Sequence, residues 1–286
     1  MPGWGWAMRY LYQPRVVVFN DARLPMRLGS RAGWLPDRGM TTDTHRGRRY
    51  LLIGATGGLG AAVARRLRRE GASLVLAARR AEPLAQLGAE LDAPHHVLDA
   101  RDFDATAALF ESAAAEGLHG AACFAGSILL RPAHATSAAD YREVLAQNLD
   151  TAFSVTRAAG KTLGRMGGSL LLFSTGAASV GLPSHEAIAA AKAGVEGLVR
   201  SAAATYASKG LRVNAIAPGL VETPLSARLL ANEASRQASV AMHALGRIGV
   251  PDDVAACAAW LLGPDSSWVT GQIVGIDGGL ARVRSR

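Results

Sequence analysis

From residue 50 onward, seven short and largely apolar runs alternate with longer stretches in which apolar residues recur at helical spacing. The runs are Tyr50–Ile53, Ser73–Ala78, His95–Leu98, Ala121–Phe124, Ser169–Phe173, Arg212–Ile216 and Gln272–Ile276. Strands that lack an apolar/polar alternation are buried on both faces, and strands joined by helical crossovers lie parallel. Each face of such a sheet needs a covering layer of helices. Leu59–Glu70 reads as one of these: Leu59, Val63 and Leu67 share a face, while Arg65, Arg66, Arg68 and Arg69 mostly point away. No internal repeat, linker or low-complexity tract divides residues 50–286. The expected fold is α/β, a single doubly wound, seven-stranded parallel sheet flanked by helices.

The first run leads directly into Gly54-Ala-Thr-Gly-Gly58-Leu-Gly60 and then into a helix. Glycines at this place permit a tight turn, close approach of backbone to a pyrophosphate, and close helix–strand packing, with the helix N-terminus facing the anion. A glycine-rich loop alone is only a turn; one set between a buried strand and a helix is a candidate phosphate cradle. Its residues are Gly54, Thr56, Gly58, Leu59 and Gly60. About 20 residues further on, an NAD site places an acid against the adenosine ribose. Here the second run ends Ala77-Ala78-Arg79-Arg80. An acid that would repel a 2′-phosphate is missing, and guanidinium groups suited to bind one are present. Arg79 and Arg80 therefore point to NADP(H); the other reading makes them solvated loop charges.

Charge and composition exclude other classes. The net charge of +8 is concentrated in the first 49 residues, which hold nine arginines against three aspartates, whereas the remainder is nearly neutral, with 22 basic and 20 acidic residues. A nucleic-acid partner is therefore not expected. That first segment also holds three of the five Trp and has no sustained period, so residues 1–47 are expected to be an extension, with Met40 a natural start for the fold. It lacks the apolar stretch and cleavage site of a secretory signal, and no apolar run approaches the ~18 residues of a membrane span. Two cysteines, Cys123 and Cys257, do not make a disulfide framework, and a reducing cytoplasm is the default location. His95 and His96 point to opposite faces of a strand, and His119, His134 and His243 show no ligand spacing, so no metal site is expected.

Together these features resemble the short-chain dehydrogenase/reductase family over residues 48–286. The loop matches the family's Gly-x3-Gly-x-Gly, although Ile53 stands where Thr usually precedes it. Asp99, followed by Ala100, matches the acid after the third strand that contacts adenine in the family. Cys123-Phe124-Ala125-Gly126 is what survives of the fourth-strand Asn-Asn-Ala-Gly. Asn148 matches the helix asparagine that supports a proton-relay water. Asn214-Ala-Ile-Ala-Pro218-Gly219-Leu-Val221-Glu-Thr223 looks like the segment that holds nicotinamide and pyrophosphate, and Gly246–Pro251 and Thr270–Gly279 match C-terminal signatures. The resemblance implies a Rossmann-type fold, a small-molecule substrate covered by a lid at about 223–247, and a homodimer or homotetramer. Leu225, Leu229, Leu230 and Met242 in that lid suit an apolar ligand, or simply pack the lid down.

Family members carry Ser, then Tyr thirteen residues later, then Lys four further on. Lys192 is the lysine, but Ile188 occupies the tyrosine position, and Thr175 stands for the serine with a hydroxyl that can still donate. Isoleucine has no proton to give. His185, seven residues before Lys192, has the Tyr-x6-Lys spacing of the family's enoyl-thioester reductases. Pro183-Ser184 reads as a helix start with Ser184 as N-cap, which places His185, Ile188 and Lys192 on one face. A neutral imidazole at that helix end would polarise a carbonyl oxygen by hydrogen bonding; the other reading makes His185 a solvated or interface residue. The expected activity is NADP(H)-dependent hydride transfer to a small apolar carbonyl or conjugated enone or enoyl substrate, with Asn148, Thr175, His185 and Lys192 as the catalytic set. A catalytically silent NADP(H)-binding sensor or scaffold is the rival.

Overall fold

The structure is a computed structural model that describes residues 43–283. β1 (Arg49–Ile53), β2 (Ser73–Ala78), β3 (His95–Val97), β4 (Gly120–Cys123), β5 (Gly168–Phe173), β6 (Leu211–Pro218) and β7 (Ile273–Ile276) form one sheet in the order β3-β2-β1-β4-β5-β6-β7. Every pairing is parallel, and β1 lies between β2 and β4, with Ile53 opposite both Ala77 and Cys123. All seven expected strands are present, with ends shifted by one or two residues.

Alternate residues of these strands feed two cores. Leu52, Leu76, Ala122 and Ile216 pack with α1 (Gly58–Arg69), α2 (Ala81–Leu91) and α9 (Pro251–Leu262). Leu51, Ile53, Val75, Cys123 and Leu172 pack with α3 (Phe103–Ala115), α5 (Thr151–Met166) and α6 (Glu186–Tyr206). The chain leaves β1 toward one face and β4 toward the other. A crevice therefore opens between their C-terminal ends, the switch point at which open α/β sheets bind ligands. The shorter helices α4 (Ala138–Leu145), α7 (Ala227–Leu230) and α8 (Glu233–Met242) lie in the connections after β4 and β6.

The boundary expected after residue 47 falls inside this fold. His45 is buried, its N–H donates to the Glu70 carbonyl at 2.9 Å, and its Nδ1 lies 2.8 Å from the Tyr50 hydroxyl. Its Nε2 is 3.3 Å from the Glu70 carboxylate. Burial pushes the Tyr50 phenol up to about 12, so it stays a neutral partner for the imidazole. A polar segment of five residues thus hides one buried anchor that composition does not reveal. Residues 1–42 and 284–286, and with them the expectations for Met40 and the segment before it, lie outside the described residues.

Candidate active site

The glycine loop turns out of β1 through Gly54 at φ +79°, where a Cβ would stand 2.7 Å from the Ala125 nitrogen. At Gly60 a Cβ would meet the Gly54 carbonyl oxygen at 2.5 Å, so the helix can approach the strand only without a side chain. Gly57 occupies the N-cap of α1 and no side chain caps it, which leaves first-turn N–H groups available to an anion.

Two cavities meet over this loop. The first, about 360 Å³, is lined by Gly54, Thr56, Gly58, Ala125 and Gly126 and, at its far end, by Arg79, Arg80, Asp99 and Ala100. Both arginines are exposed, and among the described residues neither forms an ion pair. The carboxylate on the lining of this cavity is already paired: Asp99 takes Arg101 Nη2 at 2.6 Å and Nε at 3.0 Å, and this guanidinium holds its carboxyl below the usual range. Arg79 and Arg80 thus leave unpaired positive charge at this end of the cavity. Arg101 is a residue the sequence reading missed; its place two positions after Asp99 was the available signal.

The second cavity, about 410 Å³, brings together Leu59, Gly60, Pro218, Gly219, Val221 and Thr223 with all four expected catalytic residues. Asn148 sits in a single π turn (Ala146–Asp150) between α4 and α5 and is buried. Its Nδ2 donates to the Val144 carbonyl at 2.9 Å and the Ser127 hydroxyl at 3.1 Å. Such widened turns are frequent where a helix must aim a functional group. Lys192 comes from α6, is buried, and donates to the Phe173 carbonyl at 3.0 Å. Desolvation lowers its ammonium to about 8. A Cβ on Gly126 would meet Asn148 Oδ1 at 2.8 Å and Lys192 Nζ at 3.4 Å, so this glycine keeps the floor of the crevice open between them. Thr175 ends the loop after β5, and its Oγ1 accepts from the Ala177 N–H at 3.3 Å.

The wall is apolar. Phe124 and Phe173 pack with centroids 4.7 Å apart, and Leu225, Leu229 and Met242 close the lid side; Leu230, also expected there, is not on the lining. Phe124 and Phe173 were not singled out in the sequence, since a phenylalanine in a strand reads as core. Ile188 lines the cavity but is only 5% exposed, packed with Val144, Ala187 and Ala191. His243 serves the frame: its Nδ1 donates to the Ser239 carbonyl and its Nε2 accepts from the Leu220 N–H.

The start of α6 differs from expectation. Ser184 is not the N-cap; it takes a left-handed φ of +62°, and His185 precedes the first helical residue, Glu186. The Arg131 N–H donates to the Ser184 carbonyl at 2.8 Å and His185 Nδ1 donates to the Pro183 carbonyl at 2.7 Å, so the segment is tied down before the helix begins. His185, Ile188 and Lys192 nevertheless line one cavity, as their spacing predicts.

A doubly wound parallel sheet with a glycine loop at its switch point defines a nucleotide-binding protein of the Rossmann type. The family model described as enoyl-(acyl carrier protein) reductase matches residues 54–281. The chain is 37% identical to cis-4-hydroxycyclohexanecarboxylate dehydrogenase of Sinomonas cyclohexanicum, over 82% of this chain and 96% of that one. It is 33% identical to 3beta-hydroxysteroid dehydrogenase 1 of Eggerthella lenta, over 83% and 95%. Among solved structures, a short-chain type dehydrogenase/reductase from Mycobacterium ulcerans superposes with a TM-score of 0.81 at 30% identity, covering 84% of this chain and 92% of that one. A gluconate 5-dehydrogenase from Burkholderia cenocepacia, in complex with NADP and tartrate, gives 0.81 at 27% identity, over 85% and 99%. This chain belongs to the short-chain dehydrogenase/reductase family and is an oxidoreductase by that membership.

Proposed function

We propose that the protein is an NADP(H)-dependent oxidoreductase that moves hydride between its cofactor and a small apolar carbonyl or conjugated enone or enoyl compound. The observation that carries the cofactor assignment is the pair Arg79 and Arg80, unpaired on the lip of the adenosine cavity where an acid would select against a 2′-phosphate. NADP in the gluconate 5-dehydrogenase neighbour supports the same reading. The residues present fit the dinucleotide: uncapped α1 N–H groups for the pyrophosphate, Arg79 and Arg80 for the phosphate on the ribose, and Lys192 with the Pro218–Thr223 segment for the nicotinamide half.

Bound NADPH supplies a hydride. Lys192 brings a positive charge into a water-poor cavity, where it stabilises negative charge growing on a substrate oxygen. Asn148 is held by Ser127 and Val144 and keeps a fixed polar group beside the lysine. Thr175 presents a hydroxyl to the same oxygen. With isoleucine in the tyrosine position, an acceptor whose oxygen becomes a delocalised enolate needs less help than a simple ketone. The enoyl family description suits that half of the reading, and the dehydrogenase relatives suit the carbonyl half. We place the protein in the cytoplasm as a homodimer or homotetramer, without nucleic-acid or membrane partners. Ile188 favours a second reading, a silent NADP(H)-binding sensor.

The test is a fluorescence titration with NADPH and NADH, followed by an NADPH-oxidation screen against enones, enoyl thioesters, ketones and aldehydes. NADPH is expected to bind at least about tenfold tighter, roughly 1.4 kcal/mol, and Arg79→Asp to abolish the preference. Equal affinities in the native chain would remove the NADP(H) assignment, and binding without turnover would select the sensor.

A further inference from the structure

We propose that the proton of this site passes through Nε2 of His185, leaving an imidazolium when substrate is reduced and taken up by a neutral imidazole when product is oxidised. The inference rests on the oxidoreductase reading above and adds the atom that handles the proton.

It starts from one hydrogen bond. His185 Nδ1 lies 2.7 Å from the carbonyl oxygen of Pro183. A carbonyl only accepts, so Nδ1 carries the hydrogen. The two ring nitrogens face different ways, and with Nδ1 turned into its own loop, Nε2 is the nitrogen left for the cavity that His185 lines. A neutral imidazole has a single N–H, and here it is committed. Nε2 then holds a lone pair and accepts. The expectation that a neutral His185 donates to a substrate carbonyl is thereby corrected: it donates only as the imidazolium.

The backbone is held for this arrangement at a cost. Ser184 keeps a φ of +62°, which residues with a side chain seldom adopt, while the Arg131 N–H fixes its carbonyl and the Ala189 N–H bonds to the His185 carbonyl in the first turn of α6. Strain of this kind persists where surrounding contacts over-determine it, and it gathers at functional sites.

Thr175 and Lys192 keep donors free for the substrate oxygen, which they hydrogen-bond while His185 carries the proton, and the remaining groups on the cavity are engaged. His243 uses both nitrogens in the frame, and Ser174 donates to Glu196 at 2.8 Å. Ile188 has nothing to ionise. The charged groups around His185 are Glu186 and Lys192 on its own helix and Arg131 behind it, whose guanidinium is paired with Asp140. The lid residues on the cavity, Leu225, Leu229, Ser235, Ser239 and Met242, carry no charge.

In reduction, hydride adds to the carbonyl carbon, the C=O π pair moves onto oxygen, and oxygen takes the hydrogen from Nε2, leaving the alcohol and neutral His185. With a conjugated acceptor, hydride adds to the β-carbon and the enolate oxygen takes the same proton before the enol returns to the ketone. Oxidation reverses each step, with Nε2 removing the hydroxyl proton as hydride departs.

Two measurements test this. Nitrogen-15 NMR of histidine-labelled protein without cofactor, assigned through His185→Gln, should show the neutral ring protonated on Nδ1. Reductive kcat/KM should fall, and oxidative kcat/KM rise, as pH passes through the His185 titration seen by NMR. His185→Gln should lower both by about 10²-fold, remove the break, and leave NADPH affinity unchanged. His185→Tyr, a donor at the same spacing, should recover part of the activity with the break moved to alkaline pH. A neutral ring protonated on Nε2, or undiminished reductive kcat/KM in His185→Gln, would overturn the proposal; a break near pH 8 that survives there belongs to Lys192. Failure of the native chain to bind NADPH overturns the function above instead, because the tautomer is read without cofactor.

Discussion

Lys192 carries its charge where water is scarce, 8% exposed and with one carbonyl for company. Its ammonium is lowered to about 8 by desolvation, against 10.5 for the free side chain. The folded state thus holds this proton less tightly than the unfolded chain does. The penalty is fully present below pH 8, where both states are charged, and is relieved between about 8 and 10.5 as the folded amine gives up its proton first. Lys192→Met should therefore stabilise the cofactor-free protein at pH 7, on the order of 2 kcal/mol once the lost hydrogen bond to Phe173 is allowed for. The gain should shrink as pH rises through that window. Urea unfolding at pH 7 and pH 10 measures it, and a variant no more stable at pH 7 would contradict it. A buried charge that weakens the fold in which it sits fits the role proposed for Lys192, as a stability–activity exchange expects. At this scale the arginine pair was legible from its own chemistry at the end of the second strand, whereas Lys192, Thr175 and Asn148 were legible only through the family's spacing, which the resemblance supplied. Ser184 was not readable, because its left-handed backbone depends on Arg131, more than fifty residues away in the chain.

Elements show the same division. The alternation of apolar runs exposed both cores and the strand count, since burial on two faces leaves its mark on composition. The β3 edge was the least definite: His95, His96 and Val97 are all exposed, and only their pairing with Leu76–Ala78 makes them a strand. At the other edge of the site, α9 depends on a polar lock at its start. Asp253 accepts from the Val250 N–H at 2.8 Å and takes Arg247 through both oxygens, at 2.7 and 2.8 Å. These bonds, the arginine's first, hold its carboxyl down at about 2. The sign is that of a depressed carboxylate: stabilisation is complete above the ordinary value near 3.8 and is lost as pH falls toward 2. The side chain is 30% exposed, so solvent screening leaves about 1 kcal/mol of the shift as net stability. Asp253→Asn should lose that amount at pH 7, with the gap to the native chain closing between pH 4 and pH 2. A constant gap across that range would assign the effect to packing instead. The lock also bears on the lid, because Val221 bridges to Gly249 immediately before α9 begins.

For the whole molecule, the order of β3-β2-β1-β4-β5-β6-β7 sets what the site can be. Reversal of winding between β1 and β4 opens one crevice, and the glycine loop, Gly126 and α6 all meet there. The N-terminal anchor lies elsewhere, at the start of β1, where His45 joins Tyr50 to Glu70 and the Tyr50 hydroxyl reaches the Leu262 carbonyl at the end of α9. This contact ties the first strand to helices on the same face. It also makes the N-terminal boundary a matter of a few residues. The segment before Met40 has no periodic apolar face, so a chain shortened to begin at Met40 should keep its melting temperature within a few degrees and bind NADPH unchanged. A chain shortened further, to begin at Arg48, takes the imidazole away from the Tyr50 hydroxyl, which keeps only the Leu262 carbonyl at 3.4 Å, and from Glu70, which keeps Arg66. Each buried hydrogen bond lost costs about 1 kcal/mol, so this shorter chain should melt a few degrees lower. His45→Phe in the full chain should reproduce most of that loss, because the phenyl ring fills the space but cannot bond the phenol. Equal melting temperatures for the chains beginning at Met40 and at Arg48 would show that His45 only rests on the fold, and loss of soluble protein on removing residues 1–39 would show that those residues help to build it.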